Sequence, residues 1–495
     1  MKRYLYLWHR WLGIGLCLLM ALWFVSGLVM LYVGYPKLTP REHLARLPVL
    51  SAEGCCVNLA EALAASGRSE APTAIRLTSL AGQPHYLLAY AQGPGVAVQA
   101  RSGRAVTVVD EAFALASAGQ FSPAPARYLD RVDEDAWSHS RSLDADRPLL
   151  RVQLDGDEGR LLYLSGQTGA VVRDATAHER AWNWLGAWLH WLYPLRGGAL
   201  DGAWSPLLIG LSLAATLMTL LGLVVGVLRW RFSKPYRSGS RSPYRGVARW
   251  HHLGGLLFGG LALAWIFSGL LSMNPCRLFD HPRPLSLAAW QGGDLQPDAF
   301  PLEAGAALAQ LRRVGFQARE LEWRMLAGEG YLVARDGAGN LRVLQGDGRV
   351  RIGLEEQRLW RTLAASWPAE LVGIERLEAH DSYYYGRAEQ SMSGHLDRPL
   401  PILRVHLEDP ARTWLHIDPR SGVVLERLDE RQRVYRWVFK LLHSWDWPPL
   451  LAQGALRDGL MIAGSLGGLL ICLSGVVLGW RRLGGGRKTA RPRRG

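Results

Sequence analysis

Four of the chain's 14 histidines fall into two pairs related by internal offsets. Sliding the sequence by 242 positions carries His9 onto His251, and sliding it by 253 carries His190 onto His443. Two neutral imidazoles facing one iron make the six-coordinate arrangement of a bis-histidine haem, a centre for one-electron transfer with no open position. Gly13 and Gly255 each follow their histidine by four residues. That spacing puts each glycine one turn along on the same helix face, where a flat macrocycle meets backbone and no side chain. Gly186 stands one turn before His190, but Phe439 occupies that place before His443, so the second pair is less symmetric. His252 competes with His251 as a ligand. Its counterpart at the first offset is Arg10, which cannot ligate, so His251 is preferred, and Arg10 and Arg249 become partners for haem propionates.

Plainer readings stand beside this one. A histidine at a membrane boundary is commonly an interfacial polar group, and Gly13, Gly255 and Gly259-Gly260 also suit close helix packing. The symmetric pairing favours the haem, because ionisable groups near membrane spans usually face the bundle interior and carry function. Two further stretches occupy roughly equivalent places, His380 to Tyr385 and Asp135 to Ser138. Either suits the lining of an acceptor site, though aromatic residues on strands are more often core. Asp130, Asp133, Glu134 and Asp135 read as a solvated acidic face. Cys17 and Cys472 lie in apolar runs and read as small core residues. Cys55, Cys56 and Cys276 fall outside the runs, where a bridge from Cys276 to one of the adjacent pair is an open alternative.

The elements that must position these histidines are four uncharged runs, Trp11 to Pro36, Gly202 to Leu228, Leu253 to Cys276 and Gly459 to Trp480. Each is long enough to cross a hydrocarbon core of about 30 Å as a helix. The first is too long for a signal-peptide core and lacks a small-residue cleavage site, so it reads as a retained span. The net charge of +14 gathers in three acid-free stretches, residues 1–10, 229–249 and 481–495. By the positive-inside rule these mark the N-terminus, the middle loop and the C-terminus as cytoplasmic. The basic excess is therefore topological and does not point to nucleic acid. Tryptophans such as Trp8, Trp184, Trp250, Trp437 and Trp480 crowd the ends of the runs, as an interfacial belt does.

The offsets extend well beyond the histidines. Trp8, Gly13, Trp23 and Ser26-Gly27-Leu28 recur at Trp250, Gly255, Trp265 and Ser268-Gly269-Leu270, while Arg151, Gly169, Trp184 and Gly222 recur at Arg404, Gly422, Trp437 and Gly475. The fold class is a membrane α-helical protein of four transmembrane helices, built from a duplicated two-helix unit with α+β exterior regions. Corresponding helices cross in the same sense, so the halves are related by a pseudo-two-fold along the membrane normal. The expected order is a first transmembrane helix in 1–36, a first exterior region in 37–177, and an amphipathic helix with the second span in 178–230. A basic loop (231–248), the third span (249–276), a second exterior region (277–430), an amphipathic helix with the fourth span (431–482) and a basic tail (483–495) follow. Helices are expected over Val57 to Ser66, Asp110 to Ala118, Leu302 to Arg312 and Leu354 to Ala365. Strands are expected near Thr73 to Ser79, Pro84 to Ala91, Val96 to Ala100, Leu149 to Leu154, Arg160 to Leu164, Tyr331 to Ala334, Leu341 to Leu344, Ile402 to Leu407 and Thr413 to Asp418.

The motifs WHRWLGIGLCLLMALWFVSGL, DRPLLRVQLD with YLSGQTGAVV, and ERAWNWLGAWLHWLYPLRG resemble the PepSY-associated transmembrane helix family of bacterial inner-membrane proteins, over nearly the whole chain. Members are often linked to iron uptake, and some are haem-containing reductases that release iron from ferric siderophores in the periplasm. The resemblance implies two PepSY-like modules in each exterior half and a multi-pass protein of the bacterial inner membrane with both termini cytoplasmic. It also implies two haem b groups held by His9 with His251 and by His190 with His443. The acceptor it implies is a ferric siderophore or another ferric complex. The chain shows no P-loop and no dinucleotide fingerprint, and the loop between spans is short, so the expected electron donor is a membrane quinol or a separate reductase. One rival is a non-enzymatic binding or regulatory protein whose PepSY-like regions dock a partner. Another is a transporter, which the lack of charged residues midway along the spans disfavours.

Overall fold

The computed structural model describes residues 2–196, 199–281 and 285–485. The tail cations Arg487, Lys488, Arg491, Arg493 and Arg494 lie outside the described residues. Four helices, α1 (Lys2–Met30), α2 (Asp201–Arg229), α3 (Val247–Ser272) and α4 (Gly454–Gly485), are long and apolar enough to cross a membrane. Their outward faces remain apolar, with Leu18, Leu213, Leu217, Leu257 and Leu473 exposed, a surface that suits lipid and not water. Trp8, Trp250 and Trp480 are exposed at the end of the bundle where α1 begins and α4 ends.

The bundle closes as a ring in which α1 and α3 each pack against both α2 and α4, so α1 faces α3 across the diagonal. Glycine permits the closest approaches. A Cβ on Gly467 would lie 2.3 Å from Phe258 of α3, and one on Gly468 would lie 2.3 Å from Phe24 of α1. The middle of the ring is filled by Leu16, Met20, Phe24, Met218, Trp265 and Ile266, with Cys17 and Cys472 buried among them as small core residues.

At the opposite end from the start of α1 and the end of α4 lies the α+β region. Its first half contributes β1 (Ala74–Leu80), β2 (Gln83–Ala89), β3 (Val96–Gln99), β4 (Ala126–Val132), β5 (Leu149–Leu154), β6 (Leu161–Ser165) and β7 (Val171–Ala175). The second half contributes β8 (Glu320–Leu326), β9 (Glu329–Arg335), β10 (Leu341–Leu344), β11 (Val350–Arg351), β12 (Leu371–Leu377), β13 (Ile402–Leu407), β14 (Trp414–Ile417) and β15 (Val424–Leu428). The expected helices are present at Leu59–Ala65, Glu111–Phe121, Ala304–Arg313 and Glu356–Ser366. β4–β7 and β12–β15 each form a four-stranded antiparallel sheet.

The remaining strands cross the boundary between the halves. They form one seven-stranded sheet in the order β11-β10-β9-β8-β1-β2-β3, joined where Ile75 pairs with Trp323 and Leu77 with Leu321. A single core under this sheet draws Ile75, Leu77 and Tyr86 from one half and Leu308, Leu311 and Trp323 from the other. The two halves share this sheet because β1 and β8 would otherwise present unpaired edges. Strands β4, β8 and β12 escape the hydrophobic pattern because charged residues interrupt them. In β8 the alternation of Glu320, Glu322 and Arg324 with Leu321, Trp323 and Met325 hides a strand whose acids are buried.

Cys55 and Cys56 are joined to each other, while Cys276 is free and exposed. The alternative bridge from Cys276 is therefore not made; Cys55 lies against Gly305 of the shared α+β core, and Cys276 lies just past the end of α3.

Candidate functional site

Both histidine pairs meet across the bundle. The rings of His9 on α1 and His251 on α3 have centroids 6.2 Å apart, at the end where α1 begins. At the α+β end the rings of His190 and His443 are 6.3 Å apart. A metal bonded to two imidazoles at about 2 Å each separates their ligating nitrogens by about 4 Å. The ring centres then lie one ring radius further out on each side, which matches both spacings. Seventeen residues separate His9 from Ser26, and His251 from Ser268, so the two sites lie about 25 Å apart along the helices at 1.5 Å per residue.

The Nδ1 atom of every one of the four rings is held by the protein. His9 Nδ1 meets the Met218 carbonyl at 3.0 Å, and His251 Nδ1 meets the Ile471 carbonyl and Ser474 Oγ, each at 3.1 Å. Met218 and Ile471 are themselves related by the offset of 253. A carbonyl only accepts, so both imidazoles carry their proton on Nδ1. Glycine makes this approach possible. A Cβ on Gly222, one turn beyond Met218, would lie 2.6 Å from His9 Cε1, and one on Gly475, one turn beyond Ile471, would lie 3.4 Å from His251 Cε1.

At the other end His443 Nδ1 donates to Ser268 Oγ at 3.1 Å and to the Trp265 carbonyl at 3.3 Å. His190 Nδ1 meets Ser26 Oγ at 3.0 Å, and the Ser26 hydroxyl donates to the Leu22 carbonyl at 2.8 Å. With its proton directed to the Leu22 carbonyl, the Ser26 oxygen accepts from Nδ1, the same arrangement that the carbonyl contacts give the other three rings. All four Nε2 lone pairs remain for a ligand, the tautomer a metal-binding histidine needs. Trp23 fixes the short helix Ala187–His190 onto α1 by donating its indole N–H to the His190 carbonyl at 3.0 Å.

The pair His190–His443 opens onto a cavity of about 840 Å³, floored by Trp23, Phe24, Trp265 and Phe439 and bordered by Gly27 and Gly269. A Cβ on either of those glycines would sit 3.7 Å from His190 Cε1 or 3.6 Å from His443 Cε1. Phe439 stacks on the His443 ring with centroids 5.2 Å apart. Gly186 serves a different purpose from the one its spacing indicates. It breaks the amphipathic helix into Ala177–Leu185 and Ala187–His190, and a Cβ there would crowd Val29 of α1 at 3.0 Å. In the second half a π turn, Arg436–Leu441, replaces that break.

Gly13 and Gly255 are not demanded by helix packing. A Cβ on Gly255 would meet nothing within 4 Å, and one on Gly13 only Cys17 and Met218 at 3.8 and 3.9 Å. Open space therefore lies beside Gly255, one turn from His251, while a methyl at Gly13 would make only ordinary contacts. Among the described residues no group of three or more His, Cys, Asp or Glu gathers around a point. Paired imidazoles with a free Nε2, an adjacent gap and apolar walls thus fit a group that brings its other metal ligands with it, as haem does.

His252 is placed elsewhere. Its Nδ1 meets Ser242 Oγ at 2.7 Å and its Nε2 meets the Gly226 carbonyl at 2.9 Å, so neither nitrogen is left for a metal. Arg10 and Arg249 are exposed at the end of the bundle where α1 begins. The two stretches weighed as acceptor linings are mainly structural. Asp135 binds Arg151 at 2.8 Å and Tyr163 at 2.8 Å, while Asp381 holds Arg404 through both oxygens at 2.7 and 2.9 Å, so the arginines related by the offset are clamped alike. Asp130 pairs with Arg151 at 2.5 Å, so the acidic cluster is not merely a solvated face. Tyr384 is fully buried.

The carbonyls of Met218 and Ile471, and the roles of Ser26, Ser268, Gly222 and Gly475, escape sequence reasoning. Only the recurrence of the serines and glycines at the two offsets signals them. No family model matches the chain and no curated protein matches it, so the family resemblance rests on the motifs alone.

Proposed function

We propose that the protein is a bacterial inner-membrane member of the PepSY-associated transmembrane family, a ferric reductase-type oxidoreductase. In this reading it relays electrons through two b-type haems to a periplasmic ferric complex, a ferric siderophore being the first candidate. The observation that carries the reading is the pair of symmetric His–His contacts, at 6.2 and 6.3 Å, with every Nδ1 engaged by the protein. Haem held by His9 with His251 and by His190 with His443 would supply one-electron transfer.

The chain's own residues support that role in stated ways. Met218, Ile471, Ser26 and Ser268 hold the four imidazoles in one tautomer and orientation, which strengthens and aims Nε2. Phe24, Met20, Trp265 and Ile266 keep water out of the layer between the two sites. Two stations, one near each face, divide a crossing of about 30 Å into shorter stages. With haem bound, electrons would enter at the His9–His251 end from a membrane quinol or a separate reductase, and would leave at the cavity beside His190 and His443.

Purified full-length protein made with ample haem is expected to show a low-spin b-type spectrum on reduction with dithionite. Two haems per chain are expected, one lost in His9→Ala and the other in His443→Ala. Haem-free protein under those conditions ends this reading and favours a membrane-anchored docking protein.

A further inference from the structure

The cavity beside His190 and His443 carries a charge problem that the histidines do not explain. Four basic side chains line it, Lys37, Arg173, Arg387 and Arg457. Two are neutralised in place, Arg387 by Asp446 at 2.6 Å and Arg457 by Asp458 at 2.9 Å. The other two are not. Among the described residues neither Lys37 nor Arg173 has a carboxylate within ion-pair distance. Arg173 is 6% exposed, gives one N–H to the Trp137 carbonyl at 2.8 Å, and leaves its Nε without a partner. Lys37 reaches only the Ser391 carbonyl, and the buried Ser391 hydroxyl, which also lines the cavity, has no partner.

These groups also oppose one another. Burial, and then the charge of Lys37 and Arg173, depress His395 on the same cavity wall. Burial pulls Lys37 down to about 8, with Arg173 pushing in the same direction against Glu179, Glu42 and Glu389. A buried guanidinium without a counter-ion costs several kcal/mol, and such charges are normally paired or bind an anion. Arg presents a planar fork that matches a carboxylate, and the apolar floor of the cavity suits a body larger than a simple inorganic anion.

We propose that Lys37, Arg173 and Ser391 form a carboxylate-binding site at the rim of this cavity. Two sources share that chemistry. One is the propionates of a haem held by His190 and His443, an arm that rests on the function proposed above. The other is a soluble ferric hydroxycarboxylate chelate, an arm that does not.

The test uses purified full-length protein and its Lys37→Gln, Arg173→Lys and Lys37→Gln/Arg173→Gln variants. Each is measured for haem content, for the midpoint potentials of its haems, and for binding of ferric citrate and of a neutral ferric trihydroxamate. If propionates fill the site, the double variant loses or shifts the potential of one haem of the two, and ferric citrate binding is unchanged. If a chelate fills it, haem content and potentials stay constant, while ferric citrate binds about 10- to 100-fold more weakly, the worth of a charged hydrogen bond, and the neutral complex binds as before. A double variant that folds with unchanged haem, potentials and chelate binding overturns the proposal. Should Arg173→Gln prevent folding, Lys37→Gln and Arg173→Lys give the same readouts. Protein that contains no haem removes only the first arm, and the citrate titration still decides the site.

Discussion

Ser26 Oγ lies 3.0 Å from His190 Nδ1, and Ser268 Oγ lies 3.1 Å from His443 Nδ1, so one serine in each half orients the histidine of a separate short helix. Both serines are fully buried. Second-sphere hydrogen bonds of this kind typically govern metal affinity by about 10- to 100-fold. Ser26→Ala and Ser268→Ala should each weaken haem retention at the α+β end by that order while sparing the His9–His251 site. Haem dissociation kinetics and the low-spin electron paramagnetic resonance signal would check this, and equal effects on both sites would speak against it.

Gly255 and Gly222 allow packing and cofactor space to be separated. A Cβ at Gly255 meets nothing within 4 Å, so Gly255→Ala should leave the haem-free fold intact, or raise its stability by up to about 1 kcal/mol through helix propensity. Haem occupancy at the His9–His251 site should nevertheless fall. Gly222→Ala places a methyl 2.6 Å from His9 Cε1 and should displace that ring whether or not haem is present. Thermal unfolding with and without haem distinguishes the two. A Gly255→Ala variant with full haem content would leave the gap beside His251 without a purpose.

His251 and His252 should differ in kind when replaced. His251→Ala is expected to abolish one haem. His252→Ala breaks hydrogen bonds to Ser242 and to the Gly226 carbonyl, so it should destabilise the α2–α3 contact by about 1–3 kcal/mol with both haems retained. Pyridine haemochrome quantification alongside denaturation gives both numbers.

The β12–β15 sheet should be acid-sensitive. Burial first, and then Arg404 and Arg398, hold His416 below its ordinary value despite Glu426. Burial raises Glu426, but His416 and Arg398 outweigh it and leave a net depression. Asp381 likewise ends depressed, its burial outweighed by the hydrogen bond from Arg404. All three bind protons less readily when folded, so each contributes stability above its unfolded pKa that is lost as pH falls through the folded one. Stability should therefore decline below about pH 6.5, where unfolded histidine begins to charge, and fall further below about pH 4.5 as the carboxyls titrate. His416→Asn should flatten the upper limb only. Tryptophan fluorescence melts across this range test the sign, and a rise in stability towards acid would contradict it.

Much of this molecule is written in one dimension. Apolar run length specifies four helices able to span a membrane, and the offsets of 242 and 253 announce the duplication and pair His9 with His251 and His190 with His443. These features are legible because hydrophobicity and internal repetition are properties of the string itself. The strands β4, β8 and β12 were not, because Glu320 and Glu322 are buried and the charged residues of the others mask the alternation.

Only the tertiary structure decides how groups from distant parts of the chain converge. It takes the rotation of α3 to turn His251 inward and give both nitrogens of His252 to Ser242 and Gly226. The approach of α1 to α2 puts the Met218 carbonyl beside His9. Pairing of β1 with β8 merges two regions that look separate in the sequence. The fold of the α+β region over the bundle brings Lys37, Arg173 and Ser391 to one cavity wall. Period and spacing state which residues share a face of one element, whereas helix rotation, strand-edge pairing and loop closure are set by packing between elements, which no local pattern encodes.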